Sequence, residues 1–346
     1  MVQPIKEVIK SEYIKCAQDP AYFMKKYCLI QHPIKGKIPF DLYEFQEKTV
    51  SEFQKERFNI ILKARQLGIS TLSAGYSLWM MTFQQDKNIL VIATKQEVAK
   101  NLVTKVRVMH ANLPSWLKQR CVEDNKLNLR YRNGSQIKAV SSGPEAARSE
   151  ALSLLILDEA AFIDKIDDIW TAAQSTLTTG GQCIALSTPN GVGNWFHKTW
   201  VEAEEGRGMF NFVKLHWSAH PDREQDWRNE QDVLLGPASA AQECDCDFLT
   251  SGTSVIDATL LDNLRTRCVQ DPMEKRGVDS NCWVWEPPNY SKSYVVSADV
   301  GRGDSADYSA FHVIDVDNLE QVAEYKGKIN TKDFGNMLVS IATEYN

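Results

Sequence analysis

The chain has no run of about 18 apolar residues, so no membrane-spanning helix is expected, and residues 1–10 lack the apolar core of a secretory signal. It has no internal repeat and no low-complexity segment. Cysteine pairing signals are missing too. Eight cysteines lie scattered, and the one close pair, Cys244 and Cys246, has a single residue between them and no second pair to answer it. That spacing suits no zinc site, and the thiols read as reduced and cytosolic. Positive charge is not in excess: 39 Lys and Arg against 45 Asp and Glu give a net charge of −6. A protein coated in nucleic acid is thereby disfavoured, but one with a local basic surface is not. What is present is an ordinary soluble composition over 346 residues, long enough for two domains.

Residues 1–57 read as mainly helical, broken by a turn-prone stretch at 32–40. From residue 58 the pattern changes to apolar strands alternating with helices. The expected strands are 58–62, 88–93, 136–140, 152–157 and 182–187. Such alternation predicts an α/β fold with a mostly parallel sheet covered on both faces. A helical stretch is expected near 225–247. Pro287 and Pro288, among charged and polar neighbours, mark 271–293 as a linker, and a new strand opens at Tyr294.

One motif also lacks a part. The stretch NIILKARQLGISTLSAG, residues 59–75, runs from an apolar strand through a polar turn into a helix. A phosphate-binding loop usually reads G-x-x-x-x-G-K-[ST], its lysine reaching the terminal phosphates. Here Gly68 fills the second glycine slot and Ser70 the hydroxyl slot, but Ile69 stands where the lysine belongs and Lys63 where the first glycine belongs. A turn of this kind offers backbone N–H groups and a helix N-terminus to phosphate. Ser70 or Thr71 can place a hydroxyl on Mg²⁺. Lys63 and Arg65 bring cations from the upstream side. Alone, the stretch is equally a strand, turn and helix with a surface lysine and arginine.

Four other stretches bear on that choice. LSLLILDEAAF puts Asp158 and Glu159 after a buried apolar run, about 90 residues past the loop. An acid there can bind the Mg²⁺ that bridges nucleotide phosphates, and its neighbour can orient and deprotonate the attacking water. CIALSTPNG ends another apolar strand in Ser187, Thr188, Pro189 and Asn190, either a plain turn or a sensor of the γ-phosphate. DLYEFQEKTV carries Gln46, 17 residues before Lys63, with Tyr43 and Phe45 beside it. A glutamine amide can pair with an adenine edge and an aromatic can stack on the base; a solvated helix glutamine is the alternative. YVVSADVGRGDSADYSAFHVIDV reads as strand, acidic glycine-rich turn and strand, with Asp299, Asp304 and Asp307. Carboxylates so placed can begin a two-metal nuclease site or merely solvate a hairpin.

Taken in order, DPAYFMKKYC, KARQLGIST, LDEAAFID, STPNG, FLTSGTS and DVGRGDSADYSAFHVIDV resemble the large subunit of the terminase of tailed bacteriophages, nearest its T-even-like branch. The resemblance implies an α/β P-loop NTPase of the helicase-like (ASCE) kind, with flanking helices, followed by a ribonuclease-H-like nuclease that is only begun in this chain. The expected division is an N-terminal helical segment with an adenine motif at 1–57, an ATPase core at 58–204, a helical lid at 205–270, the linker at 271–293 and a partial nuclease at 294–346. Carried over residue by residue, Lys63, Arg65, Gln66, Gly68, Ser70 and Thr71 fall on the phosphate loop. Asp158 falls on the Mg²⁺ acid with Ser70, Glu159 on the catalytic acid, Ser187 to Asn190 on the coupling motif and Gln46, with Tyr43, on the adenine motif. Asp299, with Asp307, falls on the first nuclease metal site, where Mn²⁺ can replace Mg²⁺. Either Lys63 or Arg65 replaces the missing lysine. Arg148, eleven residues before Glu159, is the candidate for an arginine acting on a neighbour's ATP.

The implied activity is ATP hydrolysis that drives double-stranded viral DNA into a procapsid, with an endonuclease inactive in this chain. The implied partners are the portal protein, the small terminase subunit and copies of the same chain in a ring, the isolated chain being a monomer. No membrane is involved. The implied place is the host bacterial cytoplasm, transiently at the portal vertex. The rival readings are a superfamily-two helicase or translocase, and a catalytically dead factor that docks on capsid or DNA. Ile69 favours the last; the Asp158–Glu159 pair opposes it.

Overall fold

The computed structural model describes residues 5–143, 151–248, 267–277, 279–301 and 308–345. Its backbone falls into two compact units, Met1–Ala258 and Thr259–Asn346. Among the described residues no helix is long and apolar enough to cross a membrane.

The first unit opens with helices α1 (Ile5–Gln18) and α2 (Pro20–Tyr27). Asp19 caps α2 by accepting from the Tyr22 N–H at 2.9 Å, and Pro20 supplies a first-turn residue whose missing N–H is no loss. The stretch expected as a turn is a β-hairpin, β1 (Leu29–His32) and β2 (Gly36–Pro39), closed where Gly36 takes a left-handed φ of 70°. Then follow α3 (Glu44–Lys55), β3 (Phe58–Lys63), α4 (Ile69–Phe83), β4 (Asn88–Ala93) and α5 (Gln96–Ala111). A meander of β5 (Cys121–Asp124), β6 (Asn128–Tyr131) and β7 (Gln136–Val140) leads on to β8 (Leu154–Asp158), α6 (Ile166–Leu177), β9 (Gln182–Ser187), α7 (Trp195–Glu204) and β10 (Asn211–Leu215). Helices α8 (Gln225–Leu235) and α9 (Pro237–Ala240) close the described part, with a π-type turn over Ala241–Asp245.

Eight strands form one sheet in the order β10-β3-β9-β8-β4-β7-β6-β5. Every pairing from β10 to β7 is parallel, and only the β5–β6–β7 edge is antiparallel. Strands β3, β4, β8 and β9 are almost wholly buried, as strands covered on both faces must be. Helix α4 is buried on nearly every side, which explains why its sequence carries no polar stripe. The C-terminal ends of β3, β8 and β9 lie side by side, and the parallel register brings Asp158 opposite Leu186 and Leu62 opposite Ser187.

Two expected boundaries change. The region from residue 205 is not purely helical, because β10 adds to the main sheet beside β3. Residues 271–293 are not a free linker either: β11 (Glu274–Arg276) and β12 (Cys282–Val284) join the sheet of the second unit. That sheet runs β11-β12-β15-β14-β13, with β13 (Tyr294–Asp299), β14 (Ser309–Asp315) and β15 (Glu320–Gly327), all antiparallel, followed by α10 (Thr331–Glu344). Phe311 and Val313 on β14 are fully buried, in one core cluster with Phe334 and Ile341 of α10. Val295 on β13, by contrast, stays half-exposed.

Candidate active site

Between Lys63 at the end of β3 and Ile69 at the start of α4, the chain reverses through two left-handed residues, Gln66 (φ 59°) and Gly68 (φ 75°). Such a turn directs successive N–H groups into one concavity. Gly68 is required twice over. Its φ disfavours any side chain, and a Cβ there would lie 2.8 Å from Nε2 of Gln46. Ile69 is 1% exposed and packs into the core, so the usual lysine position carries no cation to the loop. Lys63 does carry one. Its buried ammonium donates to Oε1 of Glu159 at 3.0 Å.

Strand β8 ends in the two acids, and a left-handed Glu159 (φ 54°) separates their directions. Asp158, 5% exposed, accepts from the Ser70 hydroxyl at 2.9 Å. Burial, and then the charge of Glu159, push the Asp158 carboxyl above its usual range, while Lys63, Ser70 and Lys105 pull the other way. The oxygens of Ser70 and Asp158 fit neighbouring positions around Mg²⁺, whose octahedral ligands at 2.0–2.1 Å stand roughly 2.9 Å apart. The charge that an ion would bring is what a buried carboxylate beside a second acid needs.

On the next strand, buried Ser187 accepts from the Ala161 N–H at 3.1 Å and lies 3.5 Å from Oε2 of Glu159. Asn190 donates to the Ala161 carbonyl at 3.0 Å, and the Pro189 carbonyl accepts from Gln242 at 2.9 Å. Thr188 is buried beside them. The end of β9 is thus tied to the turn that carries Glu159 and to the segment after α9.

Gln46 differs from both alternatives read from the sequence. It is 3% exposed, its amide N–H donates to the Leu67 carbonyl at 2.9 Å and its oxygen accepts from the Tyr43 N–H at 3.2 Å. It braces the loop from below, and the aromatic beside it is Tyr43. That ring is partly exposed, parallel to Phe45 and 4.6 Å from the ring of His220. Arg65 is held by another segment: its guanidinium lies 3.6 Å from Glu243 and its backbone N–H donates to the Glu243 carbonyl at 2.7 Å.

Sequence reasoning missed Arg223. Its guanidinium donates to the carbonyls of Arg65 and Gln66 at 3.0 and 3.1 Å and stacks on Trp227 at 4.2 Å. Nothing in the run HPDREQDW sets this arginine apart, since its partners are backbone atoms about 157 residues earlier. His220 was missed for the same reason. Thr71, next to Ser70 in the chain, lines a separate cavity. Arg148, Asp304 and Asp307 lie outside the described residues. Asp299 ends β13 on an exposed edge, and among the described residues no three His, Cys, Asp or Glu side chains gather as a metal site.

Residues 60–262 match the family described as terminase large subunit, T4likevirus-type, N-terminal. The chain belongs to this terminase large-subunit family. The terminase large subunit of Thermus phage G20c is 29% identical over 191 residues, which cover 50% of this chain and 36% of that protein. The chain therefore matches well under half the length of this relative. Among solved structures, the large terminase ATPase domain of Thermus phage P74-26 superposes with a TM-score of 0.50 at 21% identity, covering 60% of this chain and 94% of that one. The large terminase of bacteriophage HK97 gives 0.56 at 16% identity, covering 86% and 64%. These likenesses establish the large-terminase ATPase fold for the α/β sheet.

Proposed function

We propose that this terminase chain hydrolyses ATP to drive double-stranded viral DNA into a procapsid. Mg²⁺ is the proposed cofactor. The proposed partners are the portal protein, the small terminase subunit and further copies of the chain in a ring, in the host cytoplasm. The observation that carries the reading is the meeting of Lys63, Ser70, Asp158 and Glu159 at the ends of parallel strands.

In this reading ATP lies with its β- and γ-phosphates in the concavity formed by residues 64–68. Mg²⁺, when bound, neutralises phosphate charge next to Ser70 and Asp158. The γ-phosphate competes with Glu159 for the Lys63 ammonium, which frees the carboxylate to take a proton from the attacking water. The new P–O bond forms to that water as the bond to the β,γ-bridging oxygen breaks, giving ADP and orthophosphate. Ser187, within reach of Glu159, relays the change through Asn190, Pro189 and Gln242. Arg65, held by Glu243, and Arg148 are the candidates for the arginine that stabilises the transition state, with Arg148 acting on a neighbour.

The test is ATP turnover by the pure chain with and without DNA, beside Glu159→Ala. Turnover that survives in Glu159→Ala rejects the site, and none in the parent favours a docking factor. For the second unit we propose a ribonuclease-H-like nuclease reading, with Asp299 and Asp307 as metal ligands for Mg²⁺ or Mn²⁺. Two-metal cleavage needs several carboxylates around two ions, so Asp299→Ala is expected to abolish any metal-dependent nicking of supercoiled plasmid. Nicking that survives in Asp299→Ala would overturn that.

A further inference from the structure

A cavity of about 370 Å³ lies between the β1 hairpin strand, the first turn of α4 and the middle of α5. Its lining includes Gln31, His32, Thr71, Thr104 and Lys105, and among the described residues no acid lines it. Lys105 is half-buried. Among the described residues it has no hydrogen bond and no ion pair, yet Asp158 and Lys63 both act on it through space. Burial lowers the Lys105 ammonium from its usual pKa range, Asp158 opposing this and Lys63 adding to it. His32 accepts at Nδ1 from the N–H groups of Ile34 and Lys35, at 3.2 and 3.1 Å, which places the proton of the neutral ring on Nε2 as a donor. Thr71 follows Ser70 in the chain and has a hydroxyl with no hydrogen-bond partner among the described residues. The cavity thus borders the phosphate loop and offers an ammonium, a hydroxyl, an imidazole N–H and an amide, with no acid among its described lining residues and Asp158 acting on Lys105 only through space.

We propose that this cavity is a phosphate-binding site that receives the orthophosphate released by hydrolysis, with Lys105 as its principal cation. The proposal rests on the ATPase reading for the origin of the phosphate, but not for the binding itself. A cation without a partner just behind the metal-binding acid gives the product a place to go that is not the nucleotide's own concavity. Leaving by that side lets phosphate depart while ADP still occupies the loop.

The test needs no variant at first. Lysine acylation of the full chain, read by mass spectrometry, is followed with inorganic phosphate, with KCl at matched ionic strength, and with saturating ADP with and without phosphate. Phosphate is expected to slow labelling of Lys105 about tenfold, as loss of a charge-assisted hydrogen bond implies, to leave Lys100 unaffected, and to protect equally with ADP present. Lack of protection by phosphate overturns the proposal. So does full protection by ADP alone, which would assign Lys105 to the nucleotide's own phosphates. Lys105→Gln should weaken phosphate inhibition of turnover about tenfold, and Lys105→Arg should restore it; no change in the Gln variant also overturns it. If that variant does not fold, the labelling of the unaltered chain decides. A chain that binds phosphate at Lys105 but never hydrolyses ATP refutes the ATPase reading alone. A chain that hydrolyses ATP without protecting Lys105 refutes this site alone.

Discussion

Replacing Lys63 with alanine removes the ammonium that sits 3.0 Å from Glu159 and leaves a carboxylate whose side chain is 33% exposed. Removing one partner of a fully buried pair costs about 3–5 kcal/mol. Water can reach Glu159, so a loss of about 1–3 kcal/mol is expected, a fall in Tm of roughly 2–10 °C for a unit of this size. The chemical effect is larger. A cation placed where charge develops on a transferred phosphoryl group is worth about 10²–10³ in rate, or about 3–4 kcal/mol at 1.36 kcal/mol per factor of ten. Turnover of Lys63→Ala at saturating ATP should therefore fall at least about a hundredfold, measured at 20 °C, where a thermal melt shows the variant folded. Lys63→Arg should recover little, because a planar fork does not replace a point charge in so closed a space. A folded Lys63→Ala variant within about threefold of the parent rate would refute the assignment of the missing loop lysine to this position.

Ile69→Ala is expected to separate stability from chemistry: the side chain is buried in the core, so urea melts should show a loss of about 2–5 kcal/mol, with kcat nearly unchanged while folded. Arg223→Ala should raise the KM for ATP about tenfold with a smaller effect on kcat, since it releases two loop carbonyls held by charged donors; an unchanged KM in steady-state assays would remove Arg223 from the site. Glu12 accepts from Tyr22, Lys26 and Tyr27, and Lys26 above all holds its carboxyl down from the usual 4.5 to about 2. A depressed acid contributes stability above its unfolded pKa and loses it as pH falls through the folded one. Glu12→Gln should thus melt lower than the parent near neutrality, the gap closing between about pH 4.5 and 2; a gap that persists at pH 2 would contradict this.

The sequence by itself determined the α/β class, most of the central strands and the identities of the acids. A short apolar run such as LLILD, ending in an acid, reads as a strand buried on both faces, and the turn at Gly68 leads into a helix. It also placed the strand, turn and helix of the candidate phosphate loop, because that motif is local. It left open whether Lys63 or Arg65 supplies the cation, and packing sets the two apart. Parallel pairing of β3, β9 and β8 brings Lys63 onto Glu159, while Arg65, two residues on, faces Glu243 from a different part of the chain. Gln46 shows the same limit. Its helix was legible, but its burial under Leu67 depends on how α3 meets the loop. The strands β10, β11 and β12 escaped notice because they are short and carry little alternation, so only their partners in the sheets reveal them. Arg223, His220 and Lys105 were invisible for one physical reason: each acts on groups far away in sequence, and a side chain's partner across the fold leaves no mark on its neighbours in the chain.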